Sequence, residues 1–479
     1  MVIIMIKFIS EKTIPIQNLK KTILEYLNSI PGKEEINSKI LRLATRIEST
    51  DLLAWLKGQS FDKKIYWNDK KVNFEVAGIG ATDHISGLDL SDYSSIIKRI
   101  HKYSGDKCSK CHYYGGFSFY KEEAEKDEWQ LFGAYNFILP TFEIIRDAEG
   151  VLFVCNLLHP DENSLIHLAR ELESVSFKNV ELKADFPGIS EVTYWPGYDQ
   201  WRDMINSALR DINEKEFDKI VLARKIEINL FSKVDPFSIL TVLRNSNHQT
   251  VSFCFQPGPE ATFLGATPEI LYRREGRAII SEAVAGTRPR GKDQREDQDL
   301  ANDLITNDKE LREHYFVTKS LERNLGKLCS QVESNQNVSV MKFAQIQHLY
   351  TLFKGSLFQD VTDGDILECI HPTPAVGGYP DKAVLPLLHS TEPFNRGWYA
   401  APIGWTAADS ATFAVAIRSA LVIKNKLILY SGAGIVEGSS PEREWDELEN
   451  KIYHFKKVLG VDGKSLEEYQ QLLGLPAYR

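Results

Sequence analysis

The sequence has no surplus of positive charge. Its 479 residues include 57 Lys and Arg against 66 Asp and Glu, which gives a net charge of -9 at neutral pH. Proteins that bind nucleic acid through its phosphates generally carry a basic patch or stripe. The composition therefore indicates no nucleic-acid partner, and an anionic ligand has to be held by local positive charge.

Long apolar segments are also missing. Residues 1–6 are apolar, but Lys7 and Glu11 follow them, and neither a basic segment before them nor a small-residue cleavage site after them is present. No stretch approaches the roughly 20 apolar residues that a membrane-spanning helix needs. We expect a first strand here, no membrane partner, and a cytoplasmic location, or an organelle stroma if a transit peptide has been removed.

Cysteine is scarce, with six residues in the chain. Without a secretory leader, so few cysteines indicate reduced thiols rather than a disulfide framework. Cys108, Cys111 and His112 have the spacing that attaches c-type haem or supplies half of a zinc site. Haem attachment needs export, and a structural zinc needs a second ligand pair, which the sequence does not offer. Two ordinary cysteines are the favoured interpretation, and a haem- or zinc-binding protein is the alternative from another class.

Chain length and local composition divide the chain into three regions. The length is compatible with about two to four domains, although a single large enzyme also fits. We expect a variable N-terminal region at residues 1–193, a catalytic region at 194–462 and a C-terminal tail at 463–479. Hydrophobic periodicity favours an α+β fold with large, mainly antiparallel sheets and helices outside.

The catalytic region carries most of the predicted elements. The predicted strands cover residues 219–228, 250–256, 261–265, 270–274, 397–405, 412–422 and 427–432. Successive side chains of strand 219–228 are expected to alternate between the two faces of the sheet. The predicted helices run from about 198 to 212, from 310 to about 328 and from 441 to 459. A charged loop is expected at 286–299.

Two acidic pairs stand out on the predicted helices. Glu310 and Glu313 are three residues apart, as are Glu444 and Glu447, so each pair projects from one face of its helix. Lys451 follows one turn later, and for this second helix alone a solvated ion pair worth a few tenths of a kcal/mol is the simpler interpretation. Two such pairs on two helices instead suit Mg2+, which keeps several waters and uses one or two protein carboxylates.

A glycine-rich segment, Ser-Gly-Ala-Gly at 431–434, precedes the second acidic helix. It is predicted to be a turn whose backbone amides at Gly432, Ala433 and Gly434 bind an anion. An anion site would then lie beside a cation site.

Eight segments occur in an order that is typical of one enzyme family. They are Lys219-Ile-Val-Leu-Ala-Arg224, Phe263-Leu-Gly-Ala-Thr-Pro-Glu269, Glu282-Ala-Val-Ala-Gly-Thr287, His371-Pro-Thr-Pro374, Gly397-Trp-Tyr-Ala400, Ile417-Arg418, Gly432-Ala-Gly434 and the segment from Glu444 to Lys451. Together they resemble the chorismate-utilising enzymes, which include isochorismate, salicylate and aminodeoxychorismate synthases and the large subunit of anthranilate synthase. The resemblance implies two subdomains packed around a central cleft.

Within that family, two positions bear on the nucleophile that attacks C2 of chorismate. Lys219 resembles the general base that activates water in isochorismate and salicylate synthases, whereas ammonia-using anthranilate enzymes carry a different residue there. Ala285 stands where aminodeoxychorismate enzymes carry a nucleophilic lysine. The resemblance implies an isochorismate synthase without a glutamine amidotransferase subunit. A salicylate synthase, which also eliminates pyruvate, is the close alternative, and a catalytically inactive chorismate-binding module is a further one.

The resemblance also implies a general acid. The reaction adds a hydroxyl at C2 while the C4 hydroxyl departs, and hydroxide is a poor leaving group unless it is protonated. Glu269 is the implied acid, opposite the base Lys219. A glutamate with its reference pKa of about 4.3 holds a proton at neutral pH only if its surroundings raise that pKa by about two to three units.

Further roles follow from the same resemblance. Glu313 and Glu447 are the implied direct Mg2+ ligands, with Glu310 and Glu444 behind them holding metal waters. The implied substrate-binding residues are Thr287, His371, Tyr399, Arg418, Gly432, Ala433, Gly434 and Lys451. Arg418 suits the enolpyruvyl carboxylate, because its planar guanidinium binds a carboxylate with two hydrogen bonds. His371 is either a substrate contact or a packed histidine. The pathway, whether menaquinone, siderophore or salicylate biosynthesis, is left open, as is the oligomeric state.

Overall fold

The computed structural model describes residues 2–30, 38–102, 111–121, 127–178, 180–184, 186–246, 250–335, 338–343, 346–461 and 466. The strands of this part of the chain are β1 (Val2–Ile14), β2 (Ser38–Ile47), β3 (Lys64–Asp69), β4 (Phe74–Ile79), β5 (Asp83–Gly87), β6 (Tyr113–Phe117), β7 (Tyr135–Leu139), β8 (Phe142–Asp147), β9 (Gly150–Leu158), β10 (Ile189–Trp195), β11 (Lys219–Leu230), β12 (Val251–Gly258), β13 (Ala261–Thr267), β14 (Ile270–Glu275), β15 (Ala278–Pro289), β16 (Cys329–Ser334), β17 (Ser339–Lys342), β18 (Ile346–Leu357), β19 (Gly378–Tyr379), β20 (Pro402–Thr406), β21 (Ser410–Val415), β22 (Ser419–Ile423) and β23 (Lys426–Ile435).

The helices of the same part of the chain are α1 (Ile16–Ser29), α2 (Leu52–Lys57), α3 (Tyr93–His101), α4 (Glu162–Ser174), α5 (Tyr198–Asn213), α6 (Pro236–Ser246), α7 (Gln294–Thr306), α8 (Asp308–Leu328), α9 (Asp363–Ile370), α10 (Asp381–Thr391), α11 (Pro441–Lys451) and α12 (Tyr453–Val458). Among the described residues, no helix combines the length and the apolar character that a membrane crossing requires.

Two large sheets carry the fold. The larger has the order β1-β2-β9-β8-β4-β3-β12-β13-β22-β23-β11-β10, with β19 paired to β11. The smaller has the order β16-β18-β15-β14-β21-β20-β6-β7-β5, with β17 paired to β18. β1 pairs in parallel with β2, whereas pairs such as β11 with β23 and β15 with β18 are antiparallel. The predicted α+β fold with large, mainly antiparallel sheets is confirmed.

The boundary expected at residues 193 and 194 does not interrupt either sheet. In the larger sheet β3 pairs with β12, and in the smaller sheet β6 pairs with β20. Strands from residues 1–193 therefore extend both sheets of the catalytic region.

Three apolar clusters cover the faces of the sheets. The largest contains side chains of both sheets, including Phe263 of β13 and Phe413 of β21, so it lies between them. A second joins Leu429 of β23 to Leu240 of α6 on an outer face of the larger sheet. A third joins Ala433 of β23 to α5. Helices outside the sheets therefore close the core, because each covers an apolar sheet face.

Several predicted elements agree with the structure. The helix predicted at 310–328 is α8, which begins at Asp308 behind an Asn307 cap, and the helix predicted at 198–212 is α5. The strands predicted at 250–256, 261–265 and 270–274 are β12, β13 and β14.

The prediction that strand 219–228 alternates was wrong. The first eight residues of β11 are all buried, because apolar side chains lie against both faces of the larger sheet at this point. A strand covered on both faces loses the alternation that a half-exposed strand shows.

Other boundaries were also wrong. Much of the predicted loop at 286–299 belongs to β15 and α7, and the strand predicted from 397 begins only at Pro402. The strand predicted at 412–422 is two strands, because the chain turns between them at Arg418, whose φ is 53°. The predicted turn at 431–434 is part of β23, and the last helix is divided at Ile452 into α11 and α12.

Candidate active site

A small cavity of about 70 Å³ lies between the two sheets. Its walls come from β11 and β23 of the larger sheet, from β15 and β18 of the smaller sheet, and from α8 and α11. Predicted site residues that line it are Glu269, Thr287, Glu313, Tyr399, Arg418, Gly432, Glu447 and Lys451. A more open cleft beside Lys64 and Phe237 has none of the predicted site residues in its lining.

Lys219 opens strand β11, and its side chain is fully buried. Its Nζ donates a hydrogen bond to Glu313 Oε1 at 3.0 Å. Gly434 of the neighbouring strand makes this contact possible, because a Cβ there would lie 2.4 Å from Glu313 Oε1 and 3.0 Å from Lys219 Cε. The strand register therefore sets the lysine directly beside the acidic helix α8.

Glu269 lies between β13 and β14 and is 2% exposed. Burial raises the pKa of its carboxyl group to about 8, with the negative charge of Glu282 adding to the effect and the charges of Lys219 and Lys451 opposing it. The carboxyl group is therefore mostly protonated at neutral pH. A buried, protonated carboxyl group facing a cavity can act as a proton donor.

The four predicted metal-site carboxylates each contact a cation. The pairs are Glu310 with Arg288 at 2.7 Å, Glu313 with Lys219 at 3.0 Å, Glu444 with Lys309 at 2.7 Å, and Glu447 with Lys451 at 2.6 Å. Glu313 and Glu447 line the cavity, one from α8 and one from α11. The other two carboxylates do not line it, and the Arg288 and Lys309 that neutralise them lie outside its lining as well. The cluster is thus divided into an inner pair and an outer pair.

The carboxylates also influence one another. Burial raises the pKa of Glu310, and the neighbouring charge of Glu313 raises it further. Burial and the charge of Glu447 raise the pKa of Glu444 in the same way. Burial alone would also raise the pKa of Glu447, but Lys451 together with the charges of Lys309 and Arg418 holds that pKa below its ordinary value. The repulsion within each pair is the kind that a bound cation relieves.

Arg418 and Tyr399 form one wall of the cavity. The guanidinium of Arg418 donates to the backbone carbonyl of Lys451 at 2.6 Å, and burial lowers the pKa of Arg418 to about 10. The ring of Tyr399 is stacked on Tyr430 at 5.2 Å, and burial raises the pKa of its hydroxyl. A guanidinium that lines a cavity suits a carboxylate ligand, because its planar group can donate two hydrogen bonds to one carboxylate.

The remaining predicted substrate contacts differ in position. Lys451 Nζ contacts Glu447 and also donates to the Gly432 carbonyl at 2.7 Å. The Thr287 amide donates to Glu310 Oε2 at 3.1 Å. Ala433 packs its side chain into the outer cluster with α5, on the face away from the cavity, because successive strand residues point to opposite faces.

The position of His371 bears on the two interpretations that the sequence left open. Its ring lies edge-on against Tyr93 and Phe119 in the core between the sheets and does not line the cavity. Burial lowers the pKa of its imidazole to about 3, with the charges of Lys121 and Arg396 adding to the effect. The structure therefore favours a packed histidine over a substrate contact.

The cysteine motif lies partly outside the described residues, because Cys108 is not among them. Cys111 is fully buried in the core between the sheets. The His112 ring packs against Trp405 and shares a hydrogen bond with the Tyr114 hydroxyl at 3.2 Å. Both residues are packed into the interior.

Sequence reasoning missed His348, which lines the cavity from β18. Its Nδ1 lies 3.1 Å from Thr287 Oγ1 and 3.0 Å from the Gly286 carbonyl, while its Nε2 has no hydrogen-bond partner in the described part of the chain. A lone histidine in a strand carries no spacing signal, so the sequence offered no means of finding it.

A buried ion pair that the sequence did not reveal supports the cavity wall. Arg396 and Glu392 contact each other at 2.6 Å, and both are almost fully buried. Arg396 also donates to the carbonyls of Val221 and Val376, both cavity-lining residues, and Glu392 accepts the amide of Ala223. The pair therefore ties two parts of the wall together.

Comparison with known proteins places these residues in a family. The family described as chorismate binding enzyme matches residues 23–460. The chain is 31% identical over 415 residues to the chloroplastic isochorismate synthase of Catharanthus roseus, covering 84% of this chain and 71% of that protein. It is 30% identical over 447 residues to an isochorismate synthase of Haemophilus influenzae, covering 90% and 97%. The solved structure of the menaquinone-specific isochorismate synthase of Escherichia coli matches with a TM-score of 0.81 at 26% identity, covering 92% of this chain and 99% of that one.

Proposed function

The chain belongs to the chorismate-binding enzyme family, and within it we propose that this protein is an isochorismate synthase. The proposal rests on the environment of Glu269, which lines the cavity and whose buried carboxyl group has a pKa of about 8. The charge of the buried Lys219 acts on this carboxyl group and lowers its pKa. Ala285 also lines the cavity and offers no nucleophile of its own. This combination supports addition of water rather than of ammonia or of an enzyme lysine.

The reaction follows from the two groups. Lys219, which forms an ion pair with Glu313 in the free protein, acts in the reaction as a neutral amine and accepts a proton from a water molecule as the water oxygen bonds to C2 of chorismate. The ring double bonds shift, the C4–O bond breaks, and Glu269 gives its proton to the departing hydroxyl, which leaves as water. One water is consumed and one is released, and return of a proton from the Lys219 ammonium to the Glu269 carboxylate through solvent restores both groups.

The two carboxylates of chorismate need cationic partners. Arg418 and Lys451 supply positive charge at the cavity, and both have hydrogen bonds to protein groups that fix their position. We assign the enolpyruvyl carboxylate to Arg418 with Tyr399, and the ring carboxylate to Lys451 with Thr287. The Gly432 backbone completes the wall beside them.

The acidic cluster fits Mg2+ by the chemistry of its donors. No three Asp, Glu, His or Cys side chains in the described residues converge into a ready cage. Mg2+ does not require one, since it keeps several waters and binds one or two protein carboxylates. Glu313 and Glu447 would hold it, with Glu310 and Glu444 on its waters, and the bound ion would disperse negative charge at the ring carboxylate.

Product analysis tests this proposal. Purified protein given chorismate and Mg2+ should form isochorismate without ammonia or glutamine, a chelator should abolish the reaction, and added Mg2+ should restore it. Stoichiometric pyruvate with salicylate would instead establish a salicylate synthase. Chorismate left unchanged under all conditions would contradict both activities.

A further inference from the structure

Two cations of the acidic cluster, Arg288 and Lys309, have no part in the proposed reaction. Lys309, near the start of α8, places its Nζ 2.7 Å from Glu444 Oε1. The Lys309 side chain is 23% exposed, whereas that of Glu444 is 1% exposed. Lys309 therefore connects the first acidic helix to a deeply buried carboxylate of the second.

Lys309 also interacts electrostatically with the inner carboxylates. Burial alone would lower its pKa, but the charges of Glu444, Glu313 and Glu447 together raise it above its ordinary value. The charge of Lys309 also acts on Glu310, so Lys309 interacts electrostatically with all four carboxylates of the cluster. Arg288, by comparison, contacts only Glu310 within the cluster, through the hydrogen bond at 2.7 Å.

We propose that Lys309 is a positioning residue and the built-in counter-cation of the acidic cluster. It holds Glu444 in place in the metal-free protein, and its charge limits how tightly the cluster binds Mg2+. The inference rests on the proposed metal site.

The physical reason is the cost of a buried charge. Removing one partner of a buried ion pair leaves the other charge uncompensated, which is strongly destabilising. A divalent cation can supply the missing charge, so a cluster without Lys309 should depend more on metal for its stability. The same change removes a like charge that repels the metal, so the metal should bind more tightly.

Calorimetric titration with Mg2+ and thermal unfolding with and without Mg2+ test the inference on the purified protein. Lys309→Met should lower the metal-free melting temperature by several degrees and should tighten Mg2+ binding by roughly tenfold, the effect expected of a unit charge a few ångström from a divalent cation. Lys309→Arg keeps the positive charge, so its melting temperature and its Mg2+ affinity should match those of the wild type. Arg312→Met is the matched control, since Arg312 lies on the same helix in an exposed pair with Glu437 and should change neither value.

Each alternative result has a distinct meaning. Mg2+ affinity that is unchanged or weaker in Lys309→Met, while the wild type binds Mg2+ and forms isochorismate, would overturn the inference alone. A wild type that binds no Mg2+ would overturn the inference together with the metal assignment. If Lys309→Met does not fold, Lys309→Gln removes the charge while keeping a hydrogen-bond donor for Glu444, and the same titration decides.

Discussion

At Glu269, burial is the main cause of the residue's chemistry. The carboxyl group is 2% exposed, and its pKa of about 8 lies well above the ordinary value of 4.5. A group of this kind is protonated over the pH range in which an exposed glutamate is ionised. Its raised pKa makes the proposed acid role testable through pH.

We expect Glu269 to contribute to the pH dependence of both activity and stability. Activity should fall as pH rises through about 8, because the proton donor is lost. Between pH 4.5 and about 8 the folded state keeps a proton on Glu269 that the unfolded state has released, so the contribution of Glu269 to stability should decline with rising pH. Glu269→Gln should lack this decline and should lose roughly 10²- to 10⁴-fold in kcat.

The measurement is the melting temperature of both proteins from pH 5 to pH 9, with kcat/KM of the wild type over the same range. The difference in melting temperature, variant minus wild type, should grow up to about pH 8 and then level off. Parallel curves for the two proteins would show that Glu269 titrates at its ordinary pKa and would remove the support for its role.

Lys219 should behave as a catalytic residue rather than a binding residue. Lys219→Ala should lower kcat by roughly 10²- to 10⁴-fold, as expected for a lost general base, while chorismate still binds through Arg418 and Lys451. Steady-state kinetics and a direct binding titration separate the two effects. Lys225→Met is a control on the same strand, because Lys225 contacts Glu128 and Glu227 and none of the carboxylates of the acidic cluster. A near-normal kcat in Lys219→Ala would assign water activation to another residue.

At the scale of the element, β23 decides how closely the acidic helix approaches Lys219. Gly432 and Gly434 lie on the cavity side of this strand, and a Cβ at Gly434 would leave no room for the Glu313 carboxylate. Gly434 is therefore required for close approach rather than for a turn, since it lies in regular strand pairing with β11.

Gly434→Ala should keep the fold but disturb the site. The new Cβ would lie 2.4 Å from Glu313 Oε1, so the carboxylate has to move away from Lys219. A displacement of about an ångström in a catalytic group can cost roughly 10²-fold in rate. Circular dichroism should be unchanged while kcat falls. Gly326→Ala, where nothing lies within 4 Å of the added Cβ on α8, should leave kcat unchanged, and full activity in Gly434→Ala would contradict the role of this close approach.

At the scale of the whole molecule, the two sheets join the N-terminal region to the site. β12 pairs with β3, and β20 pairs with β6, so each sheet would gain an open edge if the N-terminal strands were removed. Open strand edges pair with other chains and promote aggregation. The N-terminal region is therefore a structural part of the catalytic unit even though none of the predicted site residues lies in it.

A fragment of residues 194–479 should consequently be insoluble or unfolded when expressed alone. Solubility, circular dichroism and turnover of chorismate measure this outcome against the full chain. A soluble fragment with isochorismate synthase activity would show that the catalytic region folds independently and that the shared sheets add only stability.

Local patterns alone predicted a large part of this protein. The spacing of Glu310 and Glu313, and of Glu444 and Glu447, depends only on helical periodicity, so both acidic faces were predictable. The α+β class followed from short strands interleaved with amphipathic helices, and the ordered motifs from Lys219 to Lys451 predicted the family that the comparisons then showed.

Only the tertiary structure decided which of these residues meet. Lys219 and Glu313 are 94 residues apart, and their 3.0 Å contact depends on the register of β11 against β23 and on the missing Cβ of Gly434. His371 belonged to a motif but packs into the aromatic core, whereas His348, which belonged to no motif, lines the cavity. The raised pKa of Glu269 likewise results from burial among distant strands. Sequence periodicity indicates which face of a single helix or strand a residue occupies. Contacts, burial and charge at a site depend instead on how separate elements pack against one another. For that reason the division of the acidic cluster into inner and outer carboxylates could be assigned only from the tertiary structure.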